Sequence, residues 1–136
     1  MNRFAILVLP LIATILAVTA QAVELTKDSL QTVQQKIADG KAILVDVREK
    51  KEWDQGHVAG AVFLPLSKLK AGIDAGTLAK QLPKEKIIYT HCVVGVRSVT
   101  AGNILEKMGY KVQPLKPGYK EMVKAGFKKA EEPAAK

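Results

Sequence analysis

Cysteine is nearly absent from this chain. Its 136 residues include one cysteine, Cys92, and two histidines. A single thiol cannot form a disulfide within the chain, so no disulfide framework holds the fold together. One cysteine and two histidines also give no cluster with the spacing of a metal site, and we predict neither a metal nor another cofactor. Cys92 is therefore either an inert buried residue or a reactive one.

A concentrated basic surface is absent as well. The net charge is +8, but the lysines are scattered over polar positions of predicted helices and turns. Aromatic residues make up only 5% of the chain, and no arginine-rich stripe with interleaved aromatics occurs. Nucleic-acid surfaces are typically built from such stripes. The composition therefore indicates a solvated basic surface, and we predict no nucleic-acid partner.

Charge is missing from one stretch near the start. Arg3 is followed by an uncharged segment, Phe4 to Val18, and then by an A-x-A pattern. These three parts are typical of a secretory signal peptide. A retained membrane anchor is the alternative, but the segment is shorter than the ~20 residues of a spanning helix and contains Pro10. The sequence predicts a signal peptide over residues 1–22 and a mature chain in the periplasm or outside the cell, without stable membrane association.

The mature chain has the length of one domain, predicted over residues 23–128, with a charged, disordered tail over 129–136. The first helix is expected after a cap at Asp28 or Thr26. Short apolar runs alternate with helical patterns along the domain; the runs are AILVDV, GAVFLPL, KIIYTHC and YKVQPL. This alternation predicts an α/β fold with a mostly parallel sheet flanked by helices. Ligands of such sheets gather at the carboxyl ends of the strands, where Cys92 lies.

The residues after Cys92 favour a reactive thiolate. A tight turn with Gly95 in its middle separates the predicted strand ending at His91 from a helix beginning near Arg97. Such a turn can direct backbone N–H groups inward, and the following helix adds the positive end of its dipole. Both effects lower the pKa of a thiol. No side chain nearby obviously supplies a proton, which suits a leaving group that is already a stable anion.

The segment from Cys92 to Ser98 resembles the C-x-x-G-x-R active loop of the rhodanese family of sulfurtransferases. Two further segments resemble family motifs in the same order: AILVDVRE, with Asp46 and Arg48, and WDQGHVAGAVFLPL, with His57. The family commonly has a double glycine near its end, where this chain has Pro117-Gly118, so altered packing is expected there.

The resemblance implies a three-layer rhodanese-like domain and a sulfurtransferase. Cys92 would accept a sulfane sulfur from thiosulfate or a persulfide and pass it to a thiol or cyanide, with a protein persulfide as a further partner. The loop would bind the substrate, through Val93, Val94, Gly95, Val96, Arg97 and Ser98. Arg97 would either attract an anionic donor or brace the loop by a salt bridge. Asp46 and Arg48 are expected to brace the fold, and His57 to make a structural hydrogen bond.

Two other functions compete with this interpretation. Cysteine phosphatases share the cysteine–arginine loop, but five residues separate the two there, against four from Val93 to Val96. No aspartate can be nominated as a general acid, so sulfur transfer is favoured. The second alternative is a non-catalytic binding domain or a redox sensor with an exposed thiolate at Cys92. His91 is not expected to act as the base of the thiol, because neighbours on a strand point to opposite faces.

Overall fold

The computed structural model describes residues 21–131. The predicted signal peptide lies outside these residues except for its last two, and so do residues 132–136 of the predicted tail. Within the described part the chain packs at least to Ala130, whose N–H donates to the His57 carbonyl, while Lys129 pairs with Val58. No helix in the described part is long and apolar enough to cross a membrane.

A four-stranded parallel sheet forms the centre of the described domain, with the strand order β2-β1-β3-β4. The strands are β1 (Ala42–Asp46), β2 (Val62–Phe63), β3 (Ile87–His91) and β4 (Lys111–Pro114). The apolar runs of β1 and β3 are continuous because both faces of these strands are covered. β1 and β3 occupy the middle of the sheet, and the residue after β3 is Cys92.

Helices cover both faces of the sheet. They are α1 (Leu30–Ala38), α2 (Lys50–Asp54), α3 (Leu66–Ala71), α4 (Ala75–Ala79), α5 (Val96–Lys107) and α6 (Tyr119–Lys124). Successive strand residues point to opposite faces. Ile88 packs on one side with Leu105 of α5, and Tyr89 packs on the other side with Val33 of α1. These two apolar clusters confirm the predicted three-layer α/β architecture.

Two local predictions were wrong. Ser29 caps α1, accepting a hydrogen bond from the N–H of Thr32, whereas the sequence favoured Asp28 or Thr26. Asp28 instead accepts hydrogen bonds from Lys36 and from the Tyr89 hydroxyl, which ties the segment before α1 to β3. The helix α3 was missed, because the run GAVFLPL, which contains Pro65, was interpreted only as a strand. That proline is the N-cap of α3, and no helical hydrogen bond is lost there because the first residues of a helix have no N–H partner within it.

Candidate active site

Cys92 lies at the carboxyl edge of the sheet, directly after β3. Only 1% of its surface is exposed, so the thiol is buried rather than exposed as the redox-sensor alternative assumed. It forms part of the wall of a cavity of about 250 Å³. The other lining residues are Arg48, Glu52, Gln55, Gly56, Val93, Gly118, Tyr119, Lys120 and Glu121. Cys92 thus borders a pocket large enough for a small anion.

Backbone N–H groups of the loop converge on the Cys92 sulfur. The N–H of Gly95 donates to Sγ at 3.2 Å. Burial raises the pKa of the Cys92 thiol, but hydrogen bonds from the N–H groups of Ser98, Gly95, Val94 and Arg97 outweigh burial, and the pKa lies below its ordinary value. The predicted cradle is therefore present, and its main-chain donors stabilise a thiolate, to which the positive charge of Arg97 is also attracted.

Gly95 is required by the shape of this turn. It precedes α5 with φ +99°, a left-handed conformation that other residues rarely adopt. A Cβ at this position would also lie 3.1 Å from the Cα of Lys116. Both the backbone angle and the space select glycine, which is the residue that lets the N–H turn toward sulfur.

Ser98 fixes the loop from behind. Its hydroxyl oxygen lies 2.7 Å from the Gly95 carbonyl oxygen and 2.8 Å from that of Leu115. The Thr90 hydroxyl donates to the Ser98 carbonyl at 2.9 Å, also in the buried interior. The Ser98 hydroxyl is therefore hydrogen-bonded within the protein, and Ser98 does not line the cavity. Only its backbone N–H is directed toward the sulfur. The hydroxyl holds the cradle in position.

Gly118 was missed by the sequence reasoning, which noted it only as a departure from a family pattern. A Cβ on Gly118 would lie 2.6 Å from the Val93 carbonyl oxygen and 2.9 Å from that of Cys92. The connection between β4 and α6 thus passes directly against the active loop. Glycine is needed here for close approach, since real Cβ contacts are not that short.

Arg97 forms a bidentate ion pair with Glu52 of α2. Its Nη1 and Nη2 atoms donate to Oε2 and Oε1 of Glu52 at 2.7 and 2.8 Å. Hydrogen bonding to Arg97 lowers the pKa of Glu52 to about 2. Of the two roles predicted for Arg97, this geometry favours bracing, because the guanidinium fork is already occupied. Glu52 itself was not recognised from the sequence.

Asp46 and Arg48 form a second, buried ion pair. Arg48 Nη2 donates to Asp46 Oδ2 at 2.6 Å and to the Gly56 carbonyl at 2.8 Å. The guanidinium carbon also lies 5.2 Å from the ring centre of Tyr119. These contacts join β1, the segment after α2 and α6, which is the bracing role that the sequence predicts. Arg48 nevertheless forms part of the cavity wall.

The two histidines contact backbone and carboxylate groups. His57 Nδ1 lies 3.1 Å from the Trp53 carbonyl oxygen, and its ring stacks on the indole of Trp53. His91 is fully buried, with Nε2 3.5 Å from Asp46 Oδ2 and Nδ1 3.4 Å from the Cys92 carbonyl oxygen. Burial lowers the pKa of His91. Among the described residues neither histidine hydrogen-bonds to the thiol, so neither serves as its base in this geometry.

Both carboxylates that line the cavity are hydrogen-bonded within the protein. Glu52 is paired with Arg97, and Glu121 accepts a hydrogen bond from the N–H of Gly118 at 3.1 Å. Aspartate is missing from the lining residues, and no group of His, Cys, Asp and Glu side chains within residues 21–131 could hold a metal ion. The site therefore combines a thiol of lowered pKa with a cradle of N–H groups, and neither an aspartate nor a histidine lines its cavity.

A family model, the rhodanese-like domain, matches residues 29–125, which include both the sheet and the loop. The chain belongs to the rhodanese-like family. Two solved single-domain sulfurtransferases share the fold. The human one has a TM-score of 0.62 at 23% identity, covering 71% of this chain and 94% of its own. The Saccharomyces cerevisiae one has a TM-score of 0.63 at 23% identity, covering 79% of this chain and 94% of its own.

Curated relatives of this rhodanese-like domain include sulfurtransferases. An uncharacterised protein of Bacillus subtilis is 38% identical over 82 residues, 60% of each chain. A probable adenylyltransferase/sulfurtransferase of Mycobacterium tuberculosis is 36% identical over 52% of this chain but only 17% of its own. The chain thus spans less than two thirds of these relatives. The human thiosulfate:glutathione sulfurtransferase is 29% identical over 60% of this chain and 78% of its own.

The Glu52–Arg97 pair gives this rhodanese-like domain a pH-dependent brace. Glu52→Gln should lower the free energy of unfolding by about 1 kcal/mol at neutral pH, since the pair is partly solvent-screened. The Glu52 carboxyl has its pKa lowered from 4.5 to about 2, so this stabilisation is complete above pH 4.5 and is lost as the pH falls toward 2. Urea unfolding at several pH values measures the difference.

Glu85→Gln is the control. Glu85 is an exposed carboxylate without an ion pair in residues 21–131, so its substitution should show no such loss. An equal loss there would contradict the brace.

Proposed function

We propose that this protein is a sulfurtransferase that carries a sulfane sulfur as a persulfide on Cys92. In the first half-reaction the thiolate attacks the outer sulfur of thiosulfate. A bond forms between Sγ and that sulfur, and the original sulfur–sulfur bond breaks with its electron pair leaving on sulfite. In the second half-reaction an acceptor thiolate or cyanide attacks the outer sulfur, and Cys92 leaves again as the thiolate.

The observation that carries this proposal is the main-chain cradle around Sγ. The Gly95 N–H lies 3.2 Å from the sulfur, and its neighbours lower the thiol pKa. A persulfide is an anion at neutral pH, so the donors that stabilise the thiolate are placed to stabilise the outer sulfur too. Sulfite leaves as a stable anion, which fits a cavity whose carboxylates are already engaged.

The relatives support the same class of chemistry. Two of them are the thiosulfate:glutathione sulfurtransferase of Homo sapiens and a putative sulfur carrier protein of Bacillus subtilis, the latter 31% identical over 61% of this chain and 42% of its own. For this chain we propose thiosulfate or a low-molecular-weight persulfide as the donor. A thiol, with cyanide as its laboratory substitute, is the proposed acceptor.

Mass spectrometry of Cys92 tests the proposal directly. Incubation with thiosulfate should add the mass of one sulfur atom to the peptide that contains Cys92, and cyanide should remove it. Iodoacetamide alkylation of the free enzyme should reach half its maximal rate below the ordinary thiol pKa of about 8.5. A redox sensor would instead gain oxygen from peroxide and no sulfur from thiosulfate, and that result would overturn the assignment.

We also propose that the protein is exported with cleavage before Val23. The domain is tied down from that residue on: the Val23 N–H donates to the Asn103 side chain at 2.8 Å, and the Thr26 N–H to the Pro114 carbonyl at 2.8 Å. N-terminal sequencing of protein recovered from a bacterial periplasm should begin at Val23. Recovery of the uncleaved chain in the membrane fraction would contradict the proposal.

A further inference from the structure

The exposed large apolar side chains of residues 21–131 are gathered around the active loop. They are Leu25, Val93, Val94 and Val96, between 39% and 70% exposed, and we call them the apolar rim. Three of them belong to the loop itself. The fourth, Leu25, packs against it, since its Cδ2 lies 3.2 Å from where a Gly95 Cβ would be. Other large apolar residues in the described part are buried or half-buried.

The apolar rim offers little to a small anionic substrate. Valine and leucine side chains cannot donate hydrogen bonds to the oxygens of thiosulfate or sulfite. Exposing such side chains together is unfavourable in water, and contiguous apolar patches on soluble proteins often mark a contact with another molecule. Three of the four rim residues belong to the loop that begins at Cys92, and Val93 also lines the cavity, so a molecule that covers the rim lies beside the reactive loop.

Two exposed lysines lie beside the rim. Lys116 is one, and its Cα would lie 3.1 Å from a Gly95 Cβ. Lys120 is the other, and it lines the cavity with Cys92. Within residues 21–131 neither lysine forms a salt bridge; of the carboxylates in the cavity wall, Glu52 pairs with Arg97, and Glu121 accepts a backbone hydrogen bond. An approaching molecule therefore meets an apolar centre next to two lysines, of which only Lys120 has an exposed carboxylate, Glu121, beside it in the chain.

We propose that the apolar rim is the docking surface for a protein acceptor whose cysteine lies among apolar side chains on an acidic surface. This inference rests on the proposed function and names its acceptor. The thiolate of the partner attacks the outer sulfur of the Cys92 persulfide, a new persulfide forms on the partner, and Cys92 is released as the thiolate. No oxidant or reductant is consumed.

The position of the sulfur favours a protein acceptor over a lipid surface. Cys92 is buried but lines the cavity, and a persulfide places its outer sulfur about 2 Å beyond Sγ. Contact of apolar side chains with the rim would hold a partner's thiolate beside this cavity long enough to react. A lipid headgroup carries no sulfur nucleophile, so membrane binding gives no account of why the rim lies on the loop of the cysteine.

Sulfur transfer from the loaded enzyme to matched peptides tests this surface. The probe is a short peptide whose cysteine is flanked by leucines and then by aspartates. In one control lysines replace the aspartates, in another serines replace the leucines, and glutathione is the fourth acceptor. Each rate is divided by the rate of the same thiol with a small aromatic disulfide, which corrects for the thiolate fraction. We expect the leucine–aspartate peptide to accept sulfur at least about tenfold faster than the others.

Variants outside the loop of Cys92 test which residues cause the preference for the leucine–aspartate peptide. Lys116→Glu should remove most of the advantage of the aspartate peptide over the lysine peptide, and Leu25→Ser should slow both leucine peptides about threefold. Both variants should transfer sulfur from thiosulfate to cyanide normally. Lys111→Glu is the matched control, because it makes the same charge change at the opposite end of β4. High salt should reduce the preference for aspartate.

Each alternative outcome is distinguishable. Equal corrected rates for all four acceptors, with normal loading by thiosulfate, would overturn the docking surface and leave the proposed function intact. If no donor loads Cys92, both fall. Binding to phosphatidylglycerol vesicles that Lys116→Glu abolishes, without discrimination among peptides, would make the rim a membrane surface and would overturn the proposal of a protein acceptor.

Discussion

Cys92→Ser should reduce sulfur transfer from thiosulfate to cyanide by three orders of magnitude or more. A serine hydroxyl is a weak nucleophile toward sulfur and remains protonated at neutral pH, and it cannot form a persulfide. The N–H groups that hold the thiolate would remain, including that of Gly95 at 3.2 Å in the native protein. They cannot compensate, because the reaction requires a covalent bond to the residue at position 92. Steady-state assays of thiocyanate formation measure the loss.

The folded state of this variant provides the control. Serine is close to cysteine in size, and the position borders a cavity, so the thermal midpoint should change by only a few degrees. Circular dichroism and the melting curve check that the loss is chemical and not structural. If the folded serine variant kept more than about a tenth of the activity, Cys92 would not be the nucleophile.

Gly118→Ala should lower kcat/KM about a hundredfold. The added methyl would lie 2.6 Å from the Val93 carbonyl oxygen and 2.9 Å from that of Cys92, and both are backbone atoms that cannot move aside alone. Relief of the clash requires the loop to shift, and misplacement of reacting groups by about 1 Å can cost a hundredfold in rate. Overpacking should also lower the free energy of unfolding by about 1–3 kcal/mol. Kinetics and urea unfolding measure the two effects.

Gly76→Ala is the matched control for this substitution. Gly76 lies in α4, and the nearest atom to its added Cβ is a side-chain oxygen of Asp74 at 3.3 Å. Alanine is favoured over glycine within a helix, so this variant should be close to native in both stability and activity. A Gly118→Ala protein with activity within twofold of the native protein would show that the loop does not depend on this close approach.

The central strands and the loop were predictable because their signals are local. The continuous apolar residues of β1 and β3 indicated strands covered on both faces, and these strands are paired in parallel at the centre of the sheet. The turn around Gly95 was predictable for the same reason, since a strand, a glycine and a helix start stand within a few residues of one another. Elements whose cause lies in adjacent residues could be recognised.

Contacts between distant segments could not be predicted. Glu52 and Arg97 are 45 residues apart, and nothing in either segment specifies the other as its partner. Gly118 contacts the loop only because β4 lies beside β3 in the sheet. Asp28 had the local signature of a helix cap, but its carboxylate accepts a hydrogen bond from Tyr89, 61 residues away. In each case the contact partner is determined by the tertiary fold, because the neighbouring sequence is equally compatible with several partners.

The position of β3 between β1 and β4 also determines how the site can move. Its backbone is hydrogen-bonded to a strand on each side, so we expect its amides to exchange with solvent only through openings that approach global unfolding. Cys92 follows the last residue of this strand. The thiol is therefore attached to the most persistent part of the domain, and its position should change little unless the whole sheet opens.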